Sequence, residues 1–177
     1  MLPDFGAAGP PLLLVPDEGG RYLRALEGLD RMPVMDNHKI GVLYVGPGQG
    51  DDEIAILRNT HGSRAYLDML HSLGRLVPTR DAGEIALGGL DTSGADADGR
   101  WTYVWDNQVE QVVFHVATLM PTRDTDPHAT AKKRHIGNDF VKVVYNDSGR
   151  PTRFDISPSQ FDFVNIVSVA TLTVIAR

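Results

Sequence analysis

The residues of this chain best suited to chemistry stand together, because Lys132, Lys133, Arg134, His135, Asn138 and Asp139 put cations, an imidazole, a carboxamide and a carboxylate into one short segment. At about 100° per residue, helical winding brings Arg134, His135, Asn138 and the small Ala131 into one arc of roughly 100°, with Ala129 and Ile136 on the opposite side. That arc is expected to be exposed and polar, with Ile136 anchoring the helix to a sheet. Read as residues alone, the segment leaves plain alternatives open. Lys132, Lys133 and Arg134 can be a solvated basic face near a helix C-terminus, where the helix dipole favours cations, and Asn138, beside Gly137, can be a C-cap. His135 with Asp139 or Asp147 also admits a small hydrolase, although no nucleophile motif accompanies them.

Other candidate motifs fail on spacing. With Asp96 and Asp98 at the third and fifth positions of a calcium loop, Trp105 falls where a bidentate glutamate is required. Residues 91–99 therefore read as a solvated turn. The glycine-rich run Gly46-Pro47-Gly48-Gln49-Gly50 lacks the lysine of a phosphate cradle, and Asp51 occupies the last glycine position of a dinucleotide fingerprint. The six histidines do not fall at metal-ligand spacing. Asn146-Asp147-Ser148 matches a glycosylation sequon but reads as a turn. With no cysteine, disulfides, thiolate catalysis and thiolate-bound metal are excluded.

The elements that must position the segment follow from apolar periodicity. Residues 1–20 are rich in proline and glycine and read as an N-terminal extension to a single domain over 21–177. Tyr22, Leu23, Leu26 and Leu29 recur at helical spacing. Residues 38–45 are apolar on both faces, the pattern of a strand covered on two sides. Residues 53–57 read as a second strand, and Ser63 as the N-cap of a helix whose stripe is Tyr66, Leu67, Leu70 and Leu73. Further strands are expected over 101–105, 111–119, 140–145 and 161–169. Asp126 followed by Pro127 supplies a cap and a first-turn proline for a helix running toward Asp139. Strands mixed with helices predict an α/β class: a single domain with a mixed central β-sheet covered by helices. A chain of this length hides roughly 70% of its unfolded surface, enough for one core.

Charge and hydropathy exclude further classes. A net charge of −6 argues against general nucleic-acid binding, which depends on neutralising phosphates. The proline-broken apolar run at Leu12, Leu13, Leu14 and Val15 is not expected to be a signal peptide. The apolar stretch over 161–175 contains Asp162 and Asn165 and falls short of the ~20 residues of a membrane span.

Read as KKRHIGNDF, preceded by FHVATLMPT and followed by VVYND, the segment resembles the catalytic segment of the Rap-type GTPase-activating proteins. The blocks HKIGVLYVG, ILRNTHGS, LGGLD and ATLMPTRD are most similar to the tuberin branch, and the resemblance covers roughly residues 34–165. It implies that Asn138 is an asparagine thumb, supplied in trans to a small GTPase of the Rheb or Rap type to hold the water that attacks GTP. Lys132, Lys133, Arg134, His135 and Asp139 would then support the thumb or meet the GTPase. The arginine-finger alternative is Arg134, one turn earlier. A non-catalytic GTPase-binding module would share the same basic face. The resemblance implies no cofactor of the chain's own, since the partner carries GTP and Mg2+. It implies a cytoplasmic protein in TOR signalling, recruited to endomembranes through hamartin by regions this chain lacks. Toward the C-terminus the resemblance weakens: family members usually continue into further helices, and apolar surface is expected to be left exposed near 169–174.

Overall fold

The computed structural model describes residues 19–30, 35–50, 52–151, 161 and 163–169. Two compact units, Met1–Val34 and Met35–Arg177, divide the chain. In the first, the expected helix is α1 (Arg21–Asp30), and its apolar residues Tyr22, Leu23, Leu26 and Leu29 are all exposed. Residues 1–18 and 170–177, and the expectations made for them, lie outside the described residues.

The second unit contains a six-stranded mixed sheet. Its strands are β1 (Asp36–Val45), β2 (Arg75–Pro78), β3 (Trp101–Asp106), β4 (Glu110–Val116), β5 (Val141–Asn146) and β6 (Val164–Val169), in the order β2-β3-β4-β1-β5-β6. Strands β4, β1, β5 and β6 run parallel, and β2 and β3 add an antiparallel edge. Helices α2 (Glu53–Leu57), α3 (Arg64–Leu73) and α4 (Thr130–Ile136) complete it. The expected α/β class, with a mixed sheet covered by helices, is what the structure has.

Strand β1 is central, and its burial follows its pairing. Residues 36–39 have β4 as their only neighbour and are exposed; from Ile40 onward β5 flanks the other side, and residues 41–45 are buried. The two-faced apolar pattern therefore holds only for the second half of the strand. On one face, Val42, Tyr44, Phe114, Val116, Val143 and Tyr145 pack beneath Tyr66 and Leu70 of α3. On the other, Leu43, Val45 and Val144 meet Ile56 and Leu57 of α2 and Ile136 of α4.

Several boundaries move for local reasons. The strand expected over 53–57 is the helix α2, because Asp52 caps it through a 3.0 Å bond from the Ala55 amide. Five apolar-rich residues fit either period, and the cap decides between them. Ser63 caps α3 as expected, accepting from the Tyr66 amide at 3.2 Å, although Leu67 of the expected stripe is exposed. Strand β2 was not anticipated; it is a four-residue edge strand ending in Pro78, where a missing N–H costs least. Strand β4 stops at Val116, where a turn closed by Leu119 to the Val116 carbonyl takes over.

Candidate functional site

Helix α4 is shorter than the Asp126-Pro127 signal suggests. Ala129, in the left-handed region at φ 51°, precedes its first residue, and Asp126 and Ala129 close a separate turn. The Asp126 carboxylate still reaches forward and accepts the Thr130 amide at 2.8 Å and the Ala131 amide at 2.9 Å. Those two bonds hold its carboxyl below the usual carboxylate range. The capping chemistry was legible, and its position is displaced by one turn. The helix ends at Ile136, three residues before Asp139.

The helix lies on the sheet over Gly41 of β1, and Ile136 is fully buried there. A Cβ at position 41 would stand 3.1 Å from Ile136 Cγ2 and 3.3 Å from Asp139 Oδ2, so any larger residue would push both back by a few tenths of an ångström. Polar bonds hold the flanks. Lys132 Nζ donates to the Asn59 carbonyl at 3.2 Å, and Lys133 Nζ pairs with Glu53 of α2 at 2.8 Å. Asp98, from the acidic loop over 91–99, sits 3.0 Å from His135 Nε2 and 3.3 Å from Arg134 Nη2. Below them, Asp139 Oδ2 meets His115 Nδ1 of β4 at 2.8 Å.

This arrangement corrects the expectation of an exposed polar arc. Arg134 and Asn138 are exposed, but Lys132, His135 and Asp139 are buried at 2%, 7% and 0%. Lys132 and His135 therefore offer little surface of their own, and Asp139 is bonded to His115. Burial lowers the Lys132 pKa to about 8, with the Arg58 charge adding to it. Burial likewise pushes the His135 pKa down, and the His115 and Arg134 charges add to the shift against the opposing pull of Asp98. With Lys133 and Arg134 in ion pairs, the local positive field is smaller than the count of cations suggests.

The acidic loop also needs correction. It was expected to be a solvated turn; Asp91 does make turn bonds to the Ser93 and Ala97 amides, yet Asp98 is buried and anchors α4. The hydrolase alternative loses its geometry, because His135 faces Asp98, Asp139 faces His115, and Asp147 accepts from the Tyr44 hydroxyl at 3.0 Å. Among the described residues no cluster of histidine and carboxylate ligands suits a metal ion.

Beside Arg134, the exposed residue of the segment is Asn138. Its Nδ2 donates to the Arg134 carbonyl at 2.7 Å, which satisfies an orphan carbonyl at the helix end. Its Oδ1 has no donor among the described residues. The side chain borders a shallow depression of about 330 Å³ lined by Thr130, Lys133, Arg134 and Gly137. Two residues on, the exposed Phe140 packs against Phe161 and Phe163 at ring distances of 5.7 and 5.4 Å, an apolar cluster that periodicity did not single out. His115, Asp98, Asn59 and Glu53 were also missed. A glycine inside a core strand, Gly41, was the one local sign of a close approach.

Comparison with known proteins shows the family. The Rap/ran-GAP family profile matches residues 56–171. The chain is 46% identical over 156 residues to the tuberous sclerosis 2 protein homolog of Schizosaccharomyces pombe, covering 88% of this chain and 12% of that protein. It is 40% identical over 148 residues to the human Ral GTPase-activating protein subunit alpha-1, covering 83% of this chain and 7% of that one. It thus spans about an eighth or less of these relatives' lengths. A solved structure of the TSC2 GAP domain superposes with a TM-score of 0.74 at 48% identity, over 78% of this chain and 72% of the other. On the profile match, these identities and the shared fold, the chain belongs to the Rap/ran-GAP family.

Proposed function

We propose that this chain is a GTPase-activating domain that inserts Asn138 in trans into the nucleotide site of a Ras-family small GTPase, Rheb first among the candidates. The observation that carries the reading is the contrast at one point of the backbone. Asn138 is exposed and its amide oxygen meets no donor among the described residues, while Ile136 beside it is buried in the core and His135 and Asp139 are buried and hydrogen-bonded. Such a frame presents one short side chain with little positional slack.

The chemistry suits a carboxamide. Phosphoryl transfer to water needs the water held in line with the γ-phosphate, and little covalent work remains for the protein. The amide oxygen accepts from the water, and the NH2 group, released from the Arg134 carbonyl, donates to a phosphate oxygen or a nearby backbone group. A 10⁴-fold stimulation corresponds to about 5.5 kcal/mol of barrier lowering. That exceeds an ordinary neutral hydrogen bond, so positioning in a water-poor interface supplies the difference. GTP and Mg2+ come with the partner. Association with hamartin, recruitment to endomembranes and a place in TOR signalling belong to the same proposal and to regions outside this chain.

Arg134 is the competing group. It is exposed, but its guanidinium is committed to Asp98, so a finger role would first break that pair. Single-turnover hydrolysis by GTP-loaded Rheb, alongside a panel of Ras-family GTPases, tests both readings. Asn138→Ala should lower the stimulated rate about 10³-fold without altering the fold, whereas Arg134→Ala should weaken association more than the chemical step. The opposite pattern assigns the chemistry to Arg134. Binding with no acceleration by the wild-type chain makes it a docking module.

A further inference from the structure

Asp139 directly follows the exposed Asn138, yet none of its surface is accessible. Its Oδ2 lies 2.8 Å from Nδ1 of His115, which is 1% exposed, and the other two polar atoms of the pair, Asp139 Oδ1 and His115 Nε2, have no hydrogen-bond partner among the described residues. The register places His115 beside Gly41 and Gly41 beside Lys142, so a row of three residues on β4, β1 and β5 underlies the end of α4. Glycines close the space on both sides. A Cβ at Gly41 would approach Asp139 Oδ2 to 3.3 Å, and one at Gly88 would approach His115 Nε2 to 2.8 Å.

Stability alone does not account for this pair. A buried carboxylate with an unpaired oxygen carries a desolvation cost, and apolar side chains of similar volume often hold a fold as well or better. Direction is what a hydrogen bond supplies and apolar packing does not. This bond ties the residue immediately after Asn138 to a strand 24 residues away. On the other side, Ile136 clamps the helix to the same sheet.

We propose that His115 and Asp139 are positioning residues for Asn138, locking the backbone after it to the sheet so that its carboxamide leaves the surface at one angle. The proposal rests on Asn138 being the inserted group. Neither residue touches the GTPase, so their effect falls on the rate within the complex and not on its formation.

The test is single-turnover hydrolysis by GTP-loaded Rheb over a titration of the whole chain, which separates the saturating rate from the half-saturating concentration. His115→Ala and Asp139→Ala should each lower the saturating rate by about 10- to 100-fold, with the half-saturating concentration moving no more than about two-fold. The double variant should lose no more than the worse single one. His115→Asn keeps a donor at the Nδ1 position and should retain most of the rate, whereas His115→Gln moves the donor toward Gly88 and should not. This pair carries the test if the alanine variants do not fold. Folded alanine variants with the wild-type saturating rate overturn the proposal, as do equal rates for His115→Asn and His115→Gln, or a loss confined to the half-saturating concentration. Asn138→Ala in the same assay separates the two readings. If it keeps the wild-type rate, the thumb assignment fails and positioning falls with it; if it alone loses the rate, only positioning fails.

Discussion

The two faces of the sheet are built from different interactions. Under α3, Tyr44, Tyr66 and Tyr145 meet at ring distances of 4.9, 5.7 and 6.4 Å, and the Tyr66 hydroxyl bonds Thr118 Oγ1 at 3.0 Å. Under α4 the sheet also has an apolar cluster, Leu43, Val45 and Val144 against Ile136, but beside it lie the buried His115, Lys132, His135, Asp139 and Lys142. Apolar burial is strong but indifferent to direction, whereas polar pairs are costly to bury and particular about angle. On the proposed reading, the polar pairs of the α4 face add aim for Asn138 to the cohesion that both faces share. The difference teaches where mutations should separate stability from activity.

The largest contrast sets Asn138→Ala, with its expected activity loss at unchanged stability, against Leu70→Ala on the α3 face. Leu70 is buried in the tyrosine cluster, so truncation should cost about 3 kcal/mol of unfolding free energy. Chemical denaturation measures that loss, and the rate per folded molecule should stay at the wild-type value. Activity lost in proportion beyond the unfolded fraction would break the division between faces.

Gly41→Ala comes next, because it disturbs the contact on which α4 rests. Ile136 and Asp139 would both have to shift, at a cost of about 1–3 kcal/mol, and the saturating rate should fall by at least about 10-fold. Measured together, the two effects show whether stability and aim are coupled on this face. Tyr66→Phe should be milder. It removes the bond to Thr118 and should cost about 1 kcal/mol in thermal or denaturant unfolding, with no effect on the rate.

The remaining effects are pH slopes, and they carry opposite signs. Lys132 has a folded pKa of about 8 against 10.5 in the unfolded chain, so the unfolded state binds the extra proton across that window. Stability relative to Lys132→Met should rise as pH climbs from about 8 to 10.5. Burial raises the Tyr66 pKa, so there the folded state keeps its proton longer. Stability relative to Tyr66→Phe should fall as pH passes about 10. Denaturant unfolding at several alkaline pH values reads both. His135 behaves like Lys132 at lower pH: its folded pKa is depressed, so stability should drop as pH falls below about 6.5.

Much of the scaffold was legible from neighbours in the chain. Short apolar-rich runs marked β1, β3, β4, β5 and β6, and Ser63 and Asp126 marked helix starts through bonds to amides within five residues of themselves. Those signals are local, so a linear reading captures them. Helix α2 and strand β2 were too short for periodicity to distinguish.

Sequence by itself determined five of the six strands, the presence of a helix in the basic segment, and the ordered blocks that mark the family. Tertiary structure alone decided which members of the basic segment stay exposed. Lys132 and Lys133 found their partners 73 and 80 residues away, at Asn59 and Glu53, and His135 found Asp98 in a loop that looked solvated. The physical reason is that exposure of a charged side chain depends on what the fold brings against it. Helical spacing sets only the direction in which that side chain leaves its own backbone.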